Sequence, residues 1–165
     1  KSDQGIDHVR YQVVPRVLIF LFDQQNRVLL LKGSPEKQLW AGLYNGIGGH
    51  IEAGEDILEA AQRELFEETG ISKCSLDLCG QIMVDASLQI GVAIFIFKGE
   101  YHGTTFSASD EGSLDWIEID SLASVPLLED LPTLLPKVAQ HGPSSSMIIA
   151  KYTYGTEGDL VISIR

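Results

Sequence analysis

The sequence predicts an α/β fold: a mixed β-sheet covered by helices, with a β-hairpin at its C-terminal end. Two observations carry that prediction. Seven strand-like segments are interspersed with only two helical ones, which suits a mixed sheet with helices packed on it. The chain is also apolar enough to build a core, with 165 residues, 44% of them hydrophobic, and a mean hydropathy of +0.07. A chain of about 150 residues buries roughly 70% of its unfolded surface.

The elements follow in order. Strands are expected over 13–22 and 27–32, joined by the turn Asp23-Gln24-Gln25-Asn26. A glycine-rich stretch comes next, with Gly42, Gly46, Gly48, Gly49 and Gly54 inside thirteen residues. A helix is expected over 57–69. Asp56 can cap it, Glu59 three residues later completes a capping box, and Gly70 supplies a left-handed stop. Further strands are expected over 76–84, 90–97 and 114–119. A second helix is expected over 131–140, limited by Pro132 and Pro136. The end reads as a hairpin, 147–154 and 160–164, turning at Gly155-Thr156-Glu157-Gly158.

Charge narrows the function classes. Twelve Lys+Arg against 23 Asp+Glu leave a formal net charge of −11. Nucleic-acid polymers are bound by neutralising phosphates with Lys and Arg, and anionic membrane surfaces attract the same residues, so neither partner is expected. A small phosphorylated ligand remains compatible, because a divalent cation reconciles carboxylates with phosphates. The two cysteines, Cys74 and Cys79, have no second pair to complete a zinc site and read as reduced thiols. The longest apolar runs, 17–22 and 92–97, hold six residues each, against the ~20 of a membrane span. No basic-then-apolar leader opens the chain, so a single cytoplasmic domain over residues 1–165 is expected. The oligomeric state is not legible.

The first helix breaks a rule. On a wheel at about 100° per residue from Ile57, Ala61, Leu65 and Leu58 fall near 40°, 80° and 100° and define the expected core face. Glu68 falls near 20°, Glu64 near 340° and Glu67 near 280°, so two glutamates border or enter the apolar stripe. The three also repel one another, at ~0.2–0.5 kcal/mol per exposed pair and more when partly buried. A solvated acidic face is the ordinary reading of such a run, but it leaves glutamates beside the stripe with no Lys four residues on. The sharper reading is a hard divalent cation, Mg²⁺ or Mn²⁺, held by converging carboxylates.

At this point the residues resemble a known family. Gly49, Glu55 and then Arg63-Glu64-Leu65-Phe66-Glu67-Glu68-Thr69-Gly70-Ile71 reproduce the Nudix box at all nine fixed positions of residues 49–71. The resemblance implies a Nudix-type α/β/α sandwich over essentially the whole chain. It also implies a Mg²⁺-dependent pyrophosphohydrolase acting on a nucleoside diphosphate linked to another moiety. By the same resemblance, Glu64, Glu67 and Glu68 bind metal with the Gly48 carbonyl, Gly49 and Gly70 support the site, and Arg63 pairs with Glu55 to orient the catalytic glutamate. The competing reading of Arg63 is a surface ion pair worth ~0–1 kcal/mol. Asp110-Glu111-Gly112 resembles the loop that carries an outlying metal-binding glutamate in MutT-like members, so Glu111 joins Glu64 and Glu67 as a candidate base. An exposed loop acid is its alternative. A non-catalytic Nudix-fold binding module is the remote reading, and such proteins usually lose box glutamates, none of which is lost here.

The box leaves the substrate open. Ala86, Ser87 and Leu88 match neither the Pro of ADP-ribose hydrolases nor the Tyr of dinucleoside polyphosphate hydrolases. Leu43-Tyr44-Asn45-Gly46-Ile47-Gly48-Gly49 resembles a segment of the oxidised-purine nucleoside triphosphatases in which the Asn reads the purine edge; for Asn45 turn chemistry is the alternative. Glu129-Asp130 falls near their purine-reading acid pair or, alternatively, caps the second helix, while Leu128 stands where they carry a stacking aromatic. Lys32 reads either as a phosphate contact or as an edge-strand lysine, and Arg16 as a pocket candidate. The expectation is a MutT-like hydrolase of nucleoside triphosphates such as 8-oxo-dGTP, with Mg²⁺ as cofactor and a small nucleotide as partner. ADP-ribose, a nucleotide sugar or a dinucleoside polyphosphate is the alternative substrate.

Overall fold

β1 (Gln12–Phe22) organises the molecule, because from Val17 onward it is buried on both faces. Val17, Ile19 and Leu21 point into one apolar layer, and Leu18, Phe20 and Phe22 into the other. Such an unbroken apolar run is what a strand covered on both sides requires. β2 (Arg27–Gly33) divides in the same way, Leu29 and Leu31 facing one layer and Val28 and Leu30 the other.

The computed structural model describes residues 10–36, 40–103, 105–107, 110 and 112–165. After β1 and β2 come β3 (Tyr44–Asn45), α1 (Ile57–Thr69), β4 (Leu76–Val84), β5 (Ile90–Glu100) and β6 (Gly112–Glu118). A 3-10 segment (Ile119–Ser124), α2 (Leu131–Gln140), β7 (Ile148–Tyr154) and β8 (Leu160–Ile164) complete the chain. Both helices and two strands, β4 and β8, start and stop where the sequence places them, and the other five expected strands differ by one to three residues at an end. The two-residue β3 and the 3-10 segment are too short to show a periodicity in the sequence.

The strands form one mixed sheet in the order β3-β2-β1-β5-β4-β7-β8, with β6 also paired to β2. β1 lies parallel to β5 and β4 parallel to β7, and the remaining pairs are antiparallel. α1 covers one face through Ala60, Ala61 and Leu65. α2 covers the other through Leu131, Leu134, Leu135 and Val138. The result is the α/β/α sandwich. Pro136 sits inside α2, where a proline costs about 3 kcal/mol. Four fully buried aliphatic side chains on that helix, each worth roughly 1.5–3 kcal/mol, outweigh it. Among the described residues no helix is long and apolar enough to cross a membrane.

The ends of α1 follow the local chemistry. Asp56 accepts from the N–H groups of Leu58 and Glu59 at 2.8 and 2.9 Å, and Glu59 accepts from the Asp56 N–H at 2.9 Å. Gly70 closes the helix at φ 73° with its N–H on the Phe66 carbonyl. One expectation is corrected: Leu58 is 40% exposed and off the core face. The helix is turned so that Ala60, Ala61, Leu65, Glu68 and Thr69 are buried, because two alanines admit closer approach to the sheet. This rotation puts Glu68 near the middle of the stripe.

Candidate metal and nucleotide site

The glycine stretch lies along β1. Ile47 and Ile19 exchange two backbone hydrogen bonds, and the Val17 N–H donates to the Gly49 carbonyl at 2.9 Å. Bonding partners alternate along an antiparallel pair, so the Gly48 N–H faces away from β1. It donates to Glu68 Oε2 at 3.2 Å. Glu68 is only 7% exposed, and this bond supplies a partner for a carboxylate set among aliphatic neighbours.

The glycines are required by closeness. A Cβ on Gly49 would stand 2.3 Å from Glu64 Oε1, so Glu64 rests directly on that backbone. A Cβ on Gly48 would stand 2.2 Å from the Val17 carbonyl oxygen, and Gly48 has φ +152°.

Arg63 is the hub of the acids. Its Nε donates to Glu55 Oε1 at 2.6 Å and its Nη2 to Glu55 Oε2 at 2.9 Å, a two-point fork. Nη2 also donates to the His50 carbonyl at 2.9 Å. Nη1 bridges Glu64 Oε1 at 2.8 Å and Glu67 Oε2 at 3.2 Å. The Arg63 hydrogen bonds, helped by the Glu52 N–H, hold the Glu55 carboxyl down at about 2. Glu55 and Glu64 in turn raise Arg63 beyond its ordinary range.

Three carboxylates thus surround one guanidinium, with Glu68 beside them on the Gly48 N–H. As placed, no three His, Cys, Asp or Glu side chains among the described residues close on a single ion. Arg63 lies between Glu64 and Glu67, and Glu68 turns to Gly48. The donor set nonetheless fits a hard divalent cation, being all oxygen and carrying more negative charge than one arginine balances. Glu67, whose side chain is 55% exposed, is the carboxylate with most freedom to swing.

Gly48 and Glu68 also line a cleft of ≈ 460 Å³ that holds Arg16, Asn45, Glu129 and Asp130. Five of the expected site residues and Arg16 therefore meet across elements distant in sequence. The Asn45 Oδ1 accepts the Gly46 N–H at 2.8 Å, so turn chemistry takes its oxygen and the Nδ2 donors are what it can offer the cleft. Asp130 stands at the N-cap position of α2 yet makes no side-chain cap bond, which removes helix capping as its role. It accepts instead from the Tyr152 hydroxyl at 3.2 Å. Burial, reinforced by the charge of Glu129, pushes its carboxyl up.

Lys32 is outside this lining. Its ammonium lies 5.5 Å from the Tyr44 ring centroid, and the Tyr44 hydroxyl donates to Asp115 at 2.8 Å. Glu111 falls outside the described residues. Three aromatic residues went unnoticed in the sequence: Trp40, Tyr152 and Tyr154 line the cleft and supply rings where Leu128 supplies none. The inward alternation of β7 at Ile148, Ala150 and Tyr152 is a signal for Tyr152, and Trp40 and Tyr154 carry none.

Comparison with known proteins agrees with this geometry. Residues 13–140 match the NUDIX domain. The oxidized purine nucleoside triphosphate hydrolase of Mus musculus is 35% identical over 121 residues, 69% of this chain and 75% of that protein. The Danio rerio protein of the same name is 33% identical over 105 residues, covering 63% and 66%. A MutT protein from Bacillus halodurans superposes with a TM-score of 0.74 at 26% identity, over 92% of this chain and 96% of its own.

Two predictions follow from the geometry. Gly48→Ala meets backbone that β1 pairing holds in place, so it lowers the unfolding free energy by about 2 kcal/mol or more. Gly49→Ala meets only a side chain that can swing aside and costs less than about 1 kcal/mol; urea denaturation giving equal losses would contradict the assignment. The second concerns pH. A carboxyl depressed from 4.5 to about 2 contributes stability that is present above about pH 4.5 and lost as pH falls towards about 2. Glu55→Gln should flatten the melting temperature across that interval and leave its pH dependence above 5 unchanged.

Proposed function

Because the chain belongs to the Nudix family, whose enzymes hydrolyse phosphoric anhydride bonds, we propose that it is a Mg²⁺-dependent nucleoside triphosphate pyrophosphohydrolase. Its substrates on this reading are oxidised purine nucleotides of the 8-oxo-dGTP type, and its products are nucleoside monophosphate and pyrophosphate. The observation that carries the reading is the cleft itself. Asn45 and the Glu129-Asp130 pair stand in the same cavity as Gly48 and Glu68, so base-reading groups and phosphate-side groups share one ligand-sized space. The names of the mouse and zebrafish relatives point the same way.

Glu64, Glu67 and Glu68, with the Gly48 carbonyl, are the residues that would hold Mg²⁺, which neutralises phosphate oxygens and makes an attacking water more acidic. The chain's own groups do the rest. Asn45 Nδ2 donates to an acceptor on the base edge. Asp130, its carboxyl raised by burial and held by the Tyr152 hydroxyl, stands beside exposed Glu129 as the acid pair offered to the base edge. Arg16 on the rim offers positive charge to the nucleotide. Water adds to a phosphorus, the anhydride bond between the α- and β-phosphates breaks, and the proton released goes to a carboxylate. Glu64 suits that task best, because Arg63 and the Gly49 backbone fix it from two sides. Arg63 and Glu55 are positioning residues.

The test is a substrate panel with Mg²⁺, scored by product identity as well as rate: 8-oxo-dGTP, dGTP, ATP, ADP-ribose and a nucleotide sugar. Triphosphates should give monophosphate and pyrophosphate, with the oxidised purine preferred; preference for ADP-ribose over every triphosphate would sink the assignment. Glu67→Gln should lower kcat by about a hundredfold or more at saturating Mg²⁺. Turnover within a few-fold of the native enzyme would remove Glu67 from the metal site.

A further inference from the structure

The C-terminal strand lies at the end of the sheet, and among the described residues nothing pairs with its outer side. Its inner side is spent on β7. Ile149 and Arg165 exchange both backbone hydrogen bonds, and the Gly155 N–H donates to the Asp159 carbonyl. The register Lys151↔Ser163 and Thr153↔Val161 connects them. Hydrogen-bonding direction alternates along a strand. Residues 159, 161, 163 and 165 therefore face β7, while Leu160, Ile162 and Ile164 turn their N–H and C=O groups outward.

An edge of this kind is normally blunted by Lys, Pro, a bulge or shortness. β8, Leu-Val-Ile-Ser-Ile, has none of the first three and is five residues long. On the other side of the sheet β3 is two residues long, and β6 carries Asp115 and Glu118. Charge does flank β8, with opposite signs: Asp159 before it and Arg165 after it.

We propose that β8 pairs antiparallel with β8 of a second copy of this chain, about a two-fold axis through Ile162. The register is specified twice. Centring on Ile162 sets Leu160 opposite Ile164 of the second copy and Ile162 opposite itself, which engages all the outward backbone groups of residues 160, 162 and 164. The same register sets Asp159 opposite Arg165 of the second copy, and Arg165 opposite its Asp159. Those are non-hydrogen-bonded positions, where facing side chains are closest, with Cα atoms about 4.5 Å apart. A shift of two residues either way loses both ion pairs and leaves outward backbone groups unmatched. The interface is isologous and closes at two copies. The net charge of −11 opposes association, but beyond about 10 Å that repulsion is screened at 0.1 M salt. The dimer is accordingly weak and concentration-dependent.

Sedimentation at physiological salt, at chain concentrations up to about 500 µM, tests it, since small interfaces populate only at such levels. The native chain should shift from monomer to dimer. Asp159→Lys and Arg165→Glu should each weaken the dimer about fivefold to tenfold, because each removes two ion pairs and sets like charges together. The combined Asp159→Lys/Arg165→Glu chain should recover native association. Ile162→Pro, which deletes the N–H at the axis, should remain monomeric. A native chain that stays monomeric throughout, single reversals without effect, or a double reversal that fails to restore the dimer would each overturn the proposal.

Discussion

One guanidinium holds the acidic site together. Arg63 binds Glu55 at two points, bridges Glu64 and Glu67, and ties α1 to the His50 carbonyl on the glycine stretch. Without it, carboxylates one, three and four residues apart on a single helix would repel with nothing to offset them. A lysine offers one charged point and rotating donors, whereas this position uses a planar fork with fixed directions. Other features depend on that anchoring. Glu64 lies against the bare backbone of Gly49, and Gly48 takes a backbone angle open to glycine with its N–H on Glu68.

The same arrangement connects two halves of the site. Glu68 is turned inward by the packing of Ala60 and Ala61, and from there it touches the glycine stretch on one side and the cleft on the other. The sheet explains why the cleft exists. β1 pairs with β5 along its whole length and with the glycine stretch at Val17 and Ile19, and β4 brings β7 alongside, so Tyr152 arrives opposite Asp130. No local stretch of chain contains that cavity.

What was legible in the sequence follows from this division. Capping chemistry is local, so Asp56, Glu59 and Gly70 mark both ends of α1. The spacing of Arg63 and its glutamates on a helix wheel exposes acids where apolar residues belong. The wheel alone does not tell which side of the helix meets the sheet, which is why Leu58 was placed inward and is exposed. Asp130 could be read as a cap or as a ligand group until β7 supplied its partner from twenty-two residues away. Lys32 had a free choice of neighbours on paper, and the pairing of β2 with β3 stacks it on Tyr44. Trp40, Tyr152 and Tyr154 carry no motif, and only the folded sheet brings them to one cleft.

The central claim is that the fork of Arg63, rather than its charge alone, places the acids for hydrolysis. Steady-state kinetics of Arg63→Lys with saturating Mg²⁺ and a nucleoside triphosphate substrate tests it most directly. The charge and the fold are kept, so KM should change little while kcat falls about tenfold to a hundredfold, as expected when a group supporting metal ligands is lost. A kcat equal to that of the native enzyme would contradict the account.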